Sequence, residues 1–132
     1  MGVKDRHIDK DAKVAIKTIA LPFDDIGAGV AGLLRGSYIP GYAFIILGVQ
    51  HFVRDITANF SYMVKVDATN ALSAAAVPAD ATRGDASLHA TRANLKGAST
   101  SAINLYLTTD GGGAAEEGTV YVTIRPLGLR GD

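Results

Sequence analysis

Hydrophobic and polar positions alternate with a period of two along much of this chain. In "ANFSYMVKVDA", Ala58, Phe60, Tyr62, Val64 and Val66 fall on one side, and Asn59, Ser61, Met63, Lys65 and Asp67 on the other. A half-buried strand has this pattern. "KVAIKTIAL" sets Val14 and Ile16 against Lys13 and Lys17, and Pro22 closes the segment. The most apolar stretch, "YAFIILGVQHFVRDI", lacks clean alternation at its centre. It fits a strand covered on both faces or a buried helix. Its β-branched and aromatic residues, and Gly48 in its middle, favour the strand. Near the end, Ile103, Leu105 and Leu107 face one way, as do Val120, Val122 and Ile124, with Tyr106 and Tyr121 on the other faces. Joined by "TDGGGAAEEG", these two runs read as a β-hairpin with a mobile tip.

Between the strands, glycine and proline punctuate the chain. "FDDIGAGVAGLLRGSYIPG" is too broken for a long helix. Residues 68–100 are rich in Ala, Ser and Thr, and Pro78, Gly84 and Gly97 divide them. That pattern predicts a strand near 71–77, a turn over Pro78–Asp85 and an irregular strand near 87–95. Residues 1–12 are charged with few apolar groups, which predicts a flexible N-terminal arm ahead of a single domain over 13–132. The expected fold is all-β: an antiparallel two-sheet β-sandwich, jelly-roll-like. Its core would hold Phe44, Ile46, Phe60, Tyr62, Val64, Leu105, Val120 and Val122.

Composition narrows the function. Lys and Arg together number 13, as do Asp and Glu, so the formal charge is zero and nucleic acid is a poor partner. There is no cysteine, hence no disulfide and no thiolate metal site. No apolar run is long enough for a membrane span, and the N-terminus lacks the apolar core of a signal peptide.

Several motifs invite chemistry and then fail its requirements. Gly27, Gly29 and Gly32 match G-x-G-x-x-G, but Gly36 and Pro40 leave no room for the helix a dinucleotide site needs. His7, His51 and His89 have no paired ligand at metal spacing, and His51, among apolar neighbours, reads as a partly buried structural histidine. Ser61, Ser73, Ser87, Ser99 and Ser101 lie in no nucleophile elbow. The pairs Asp24-Asp25 and Glu116-Glu117 put neighbours on opposite faces of a strand, which makes no acid/base dyad. In loops they would cap backbone N–H groups, with calcium a weaker alternative. No catalytic, cofactor-binding or metal-binding residue is assigned, and an enzyme is not expected. Two Arg-Gly-Asp triplets, Arg83-Gly84-Asp85 and Arg130-Gly131-Asp132, fall where a turn and the terminus are expected. Turn chemistry explains them better than cell adhesion, which needs an exposed looped tripeptide.

The segment "LKGASTSAINLYLTTDGGGAAEEGTVYVTIRPLG" resembles the closing part of small tailed-phage virion proteins. "IKTIALPFDDI" followed by the apolar strand resembles their opening half, so the likeness spans residues 14–128. The resemblance implies a head decoration (cementing) or head-fibre-base protein. Such a protein binds the outer surface of a capsid, with the major capsid protein as partner, commonly as a homotrimer. It is made in the host cytoplasm, ends on the virion, and carries no catalytic residues or cofactor. The alternative is a carbohydrate- or receptor-binding sandwich. Its aromatic platforms would have to come from Tyr38, Tyr42, Tyr106 and Tyr121, since there is no Trp.

Overall fold

A computed structural model describes residues 16–26, 29–56, 60–79, 82–109 and 115–128. Residues 1–12, expected to form an arm, and the second Arg-Gly-Asp triplet lie outside the described residues.

Nine strands and one 3-10 turn make up the described chain. The strands are β1 (Lys17–Ile26), β2 (Leu33–Tyr38), β3 (Phe44–Ile56), β4 (Phe60–Val66), β5 (Thr69–Asn70), β6 (Arg83–Ala86), β7 (Lys96–Gly97), β8 (Ile103–Thr109) and β9 (Ala115–Pro126). They form two antiparallel sheets. A five-stranded sheet runs β1-β9-β3-β6, with β7 also paired to β3, and a four-stranded sheet runs β2-β8-β4-β5. The expected β-sandwich is therefore present. Its core lies between the sheets, and all eight residues named from the sequence are buried there.

Strand β4 alternates as expected, with Phe60, Tyr62, Val64 and Val66 buried and Ser61, Met63 and Lys65 half-exposed. Strand β3 alternates too, but changes phase. Phe44 and Ile46 face the core, and so do Val49, His51 and Val53. Between the two sets the register with β9 slips: Ile46 pairs with Ile124, but Gly48 pairs with Thr123. Leu47 is the extra residue of a β-bulge and stays exposed. The missing alternation in the sequence is thus two clean patterns spliced one residue out of step. Ile45, on the outer side, is buried as well.

The C-terminal hairpin does not form. β8 pairs with β2 and β4, whereas β9 pairs with β1 and β3 in the other sheet. Each run has the inward residues assigned to it, but the link is a crossover between sheets. Alternation specifies which side of a strand is buried, and says nothing about which strand lies beside it.

Four local expectations also change. Pro22 does not end β1, which continues to Ile26. β1 is an edge strand, where a residue lacking an N–H is tolerated. The buried positions of β1 are Ile19, Leu21 and Phe23, and Ile16 is exposed. The strand expected near 71–77 does not form; that stretch makes only isolated bridges, Leu72–Leu88 and Tyr62–Ala76. The end of the turn expected over Pro78–Asp85 belongs instead to strand β6, and in place of the strand expected near 87–95 there is an isolated bridge at Leu88 and a 3-10 turn at Arg92–Leu95. Ala-rich sequence has little side-chain volume with which to dictate either outcome.

One side of the sandwich is laced shut. Edge strands β1 and β2 face each other across the two sheets. The Lys17 ammonium donates to the Tyr38 hydroxyl at 2.6 Å at one end. Arg35 Nη2 donates to the Asp24 carbonyl at 3.2 Å at the other. Between them Leu21 packs on Gly36, where an added Cβ would meet Leu21 Cδ2 at 3.4 Å.

Candidate functional site

Two places gather polar side chains from several strands: a histidine–tyrosine pair between the sheets, and the outer face of the five-stranded sheet.

The inner pair joins the layers. His51 on β3 and Tyr62 on β4 are both buried, and His51 Nδ1 lies 2.6 Å from the Tyr62 hydroxyl. The rings meet edge-on, with centroids 5.4 Å apart. Burial pushes the His51 pKa below its ordinary value, against a smaller opposing effect of Asp85. Burial, seconded by Asp85, pushes the Tyr62 hydroxyl well above its ordinary value. Both groups are therefore neutral near pH 7, and each satisfies the other. The structural reading of His51 holds.

The first Arg-Gly-Asp triplet belongs to this pair. It forms strand β6, in which Gly84 lies directly opposite His51. A Cβ on Gly84 would sit 2.9 Å from His51 Nε2, so the glycine gives the imidazole its space. Arg83 pairs with Phe52 in the register and places its guanidinium 5.1 Å from the Phe52 ring centroid. The triplet is thus neither a turn nor the loop an adhesion receptor requires. It is an extended edge strand whose glycine is fixed by packing.

The outer face is a shallow concavity of about 530 Å³ crossing β1, β9, β3 and β6. Pro22 and Asp24 line it from β1, Glu117, Thr119 and Tyr121 from β9, Phe52 and Arg54 from β3, and Arg83 from β6. Arg35 reaches in from β2 around the sheet edge. Asp24 and Glu117 are register partners, and like charges directly opposite repel. Two guanidiniums offset this. Arg54 Nη1 lies 2.8 Å from Glu117 Oε1, and Arg35 Nη2 lies 3.8 Å from Asp24 Oδ1. Each acidic doublet thus sends one carboxylate to this face, and Asp24 caps no loop; it stands on a strand. Arg83 has no carboxylate within ion-pair distance among the described residues.

The other candidates do not converge. His89 accepts from the Thr91 N–H at 3.1 Å, closing a local turn, and His7 lies outside the described residues. Gly29 and Gly32 adopt φ of 72° and 59° in the link from β1 to β2, with Gly27 outside the described residues. No helix opens there to receive a phosphate. Among the described residues no group of three or more His, Asp or Glu could hold a metal, and no helix is long and apolar enough to cross a membrane. Of the tyrosines, Tyr38 is tied to Lys17, Tyr106 lies under Lys65 on the outer face of the four-stranded sheet, and Tyr42 packs on the core. Tyr121 alone of the four lines the concavity. Sequence reasoning missed the concavity because its residues come from five strands. The signal it had was the outward parity of Thr119 and Tyr121.

No protein-family model matches the chain, and no curated protein matches it. Solved structures do. A chain of the capsid of Ralstonia phage GP4 is similar at a TM-score of 0.60, with 13% identity over 84% of this chain and 84% of that one. The infectious bursal disease virus VP2 subviral particle gives 0.46, with 12% identity over 87% of this chain and 33% of that one. The Gx strain of that virus gives 0.46, with 14% identity over 87% and 32%. The chain spans about a third of those two longer chains. The likeness to the phage capsid chain is one of fold.

Proposed function

We propose that this chain is a non-enzymatic structural component of a virus particle, of the head-decoration type. It binds the outer surface of a phage capsid as a homo-oligomer, a trimer by preference, with the major capsid protein as partner. The observation that carries the reading is the mutual 84% coverage at a TM-score of 0.60 with a capsid chain, which matches domain to domain rather than part to whole. A jelly-roll topology is supported by the strand orders β1-β9-β3-β6 and β2-β8-β4-β5, because double Greek-key sandwiches are a recurrent capsid architecture.

The outer face of the four-stranded sheet is suited to docking. Leu34, Tyr106 and Met63 are register partners across β2, β8 and β4, and Leu34 is exposed. β2 is also an open sheet edge, which a neighbouring subunit would cover. Residues 1–12 would serve as an arm that contacts a neighbouring subunit or the capsid.

Mass spectrometry of purified particles, with light scattering on the isolated protein, tests this reading. High copy number in the particle and a solution mass of three chains are expected. A monomer absent from particles overturns the proposal. Leu34→Asp should abolish particle binding while leaving the circular dichroism spectrum unchanged.

A further inference from the structure

The concavity on the five-stranded sheet is separate from the apolar face assigned to docking, and its lining has mixed sign. We propose that it binds an acidic saccharide, a sugar ring bearing a carboxylate, and the inference stands whether or not the chain proves to be a capsid component.

Each part of the lining points to that chemistry. Arg83 is laid against Phe52 and has no carboxylate partner among the described residues, so its guanidinium is held in place with its fork of donors available. That is a preorganised site for a carboxylate. Asp24 and Glu117 stand in the same concavity, each already engaged by one arginine but with acceptor capacity left over. They need hydrogen-bond donors from a ligand. A sugar acid supplies both an anion and hydroxyl donors. A phosphodiester chain supplies charge but few hydroxyl donors for the two carboxylates. Tyr121, half-exposed and two residues along β9 from Thr119, offers an aromatic surface beside these groups. An extended peptide is a poorer fit. β9 and β3, which floor the concavity, are each paired on both sides, so the floor has no free backbone edge to take a further strand.

The test is calorimetric titration of the full chain with galacturonate and mannuronate oligosaccharides, against neutral glucan oligosaccharides of equal length. Binding by at least one acidic series is expected, at least tenfold tighter than the neutral one and weakened by salt. Arg83→Gln should weaken it at least tenfold, and Tyr121→Ala should weaken it as well. Both substitutions are at the surface, and unchanged thermal unfolding of Arg83→Gln will show that the fold persists. The proposal is overturned if no acidic oligosaccharide binds at millimolar concentration. Equal binding of neutral and acidic series overturns it too, as does acidic binding that survives Arg83→Gln.

Discussion

The two sheets solve the same packing problem with different means. In the four-stranded sheet, β4 and β8 send an unbroken series of large side chains inward, from Phe60 to Val66 and from Ile103 to Leu107. In the five-stranded sheet, three rings lie across glycines on the neighbouring strand: Phe23 opposite Gly118, Phe44 opposite Gly97 and His51 opposite Gly84. An added Cβ at Gly118 would come within 2.5 Å of Phe23 Cζ, and one at Gly97 would overlap the Phe44 ring. A glycine inside a strand usually weakens it. Here each one vacates the volume that a cross-strand ring fills, a pairing that also holds register.

Breaking a ring–glycine pair should have the largest effect. Phe44→Ala empties a fully buried ring position and should cost about 3–5 kcal/mol in urea denaturation. Gly97→Ala forces the same ring aside and should cost about 1–3 kcal/mol. The two will not add. With the ring gone, the methyl has room, so Gly97→Ala in the Phe44→Ala background should be far milder than alone. Gly48 is the control: nothing lies within 4 Å of its Cβ position, and Gly48→Ala should change stability by no more than about 0.5 kcal/mol. Equal costs at Gly48 and Gly97 would show that backbone freedom, not ring packing, is what these glycines supply.

The same contrast explains what the sequence disclosed. In the four-stranded sheet, β4 and β8 could be read almost residue by residue, because they carry one uninterrupted period-two pattern. In the five-stranded sheet only β9 could be read that way. Its bulge at Leu47 reverses the parity of β3, and its glycines, read as turn signals at Gly84 and Gly97, lie in strands β6 and β7. The Arg-Gly-Asp triplet was misread for that reason: glycine chosen for volume looks the same in a sequence as glycine chosen for φ. The pairing of β8 with β4 rather than β9 was hidden for another reason, since neighbour choice depends on both sheets at once. The histidine's role was legible from its apolar neighbours, but its partner Tyr62 stands on the other sheet.

The polar bridge between the sheets should respond next most strongly. Tyr62→Phe removes the hydroxyl and leaves His51 Nδ1 without its partner, a cost of about 1–3 kcal/mol. The pair also sets two pH limits. His51 is held below its ordinary value of 6.5, so the unfolded chain takes up the proton first as pH falls. Its contribution is complete above pH 6.5 and diminishes below that, until the folded-state value is reached. Tyr62 is held above its ordinary value of 10.0, so stability should decline as pH rises past 10.0. In urea titrations across pH, His51→Gln should flatten the acid limb between the ordinary histidine value and the folded-state one. An acid limb unchanged by that substitution would assign it to carboxylates elsewhere.

The smallest effect belongs to the charge row on the outer face. Arg54 and Glu117 are both more than half-exposed or close to it, at 66% and 50%, so their 2.8 Å contact is well screened. A double-mutant cycle with Arg54→Ala and Glu117→Ala should give a coupling of about 0.2–1 kcal/mol, falling as salt rises. Glu117→Ala alone should cost less than Arg54→Ala. Removing the carboxylate relieves its repulsion with Asp24 directly opposite, whereas removing the guanidinium leaves the two carboxylates facing each other. If the cycle instead gave several kcal/mol, these side chains would be structural, and the concavity would have little freedom to engage a ligand. A weak coupling means that the fold rests on the buried side of this sheet, and that its outer row can exchange an internal ion pair for an external one at small cost.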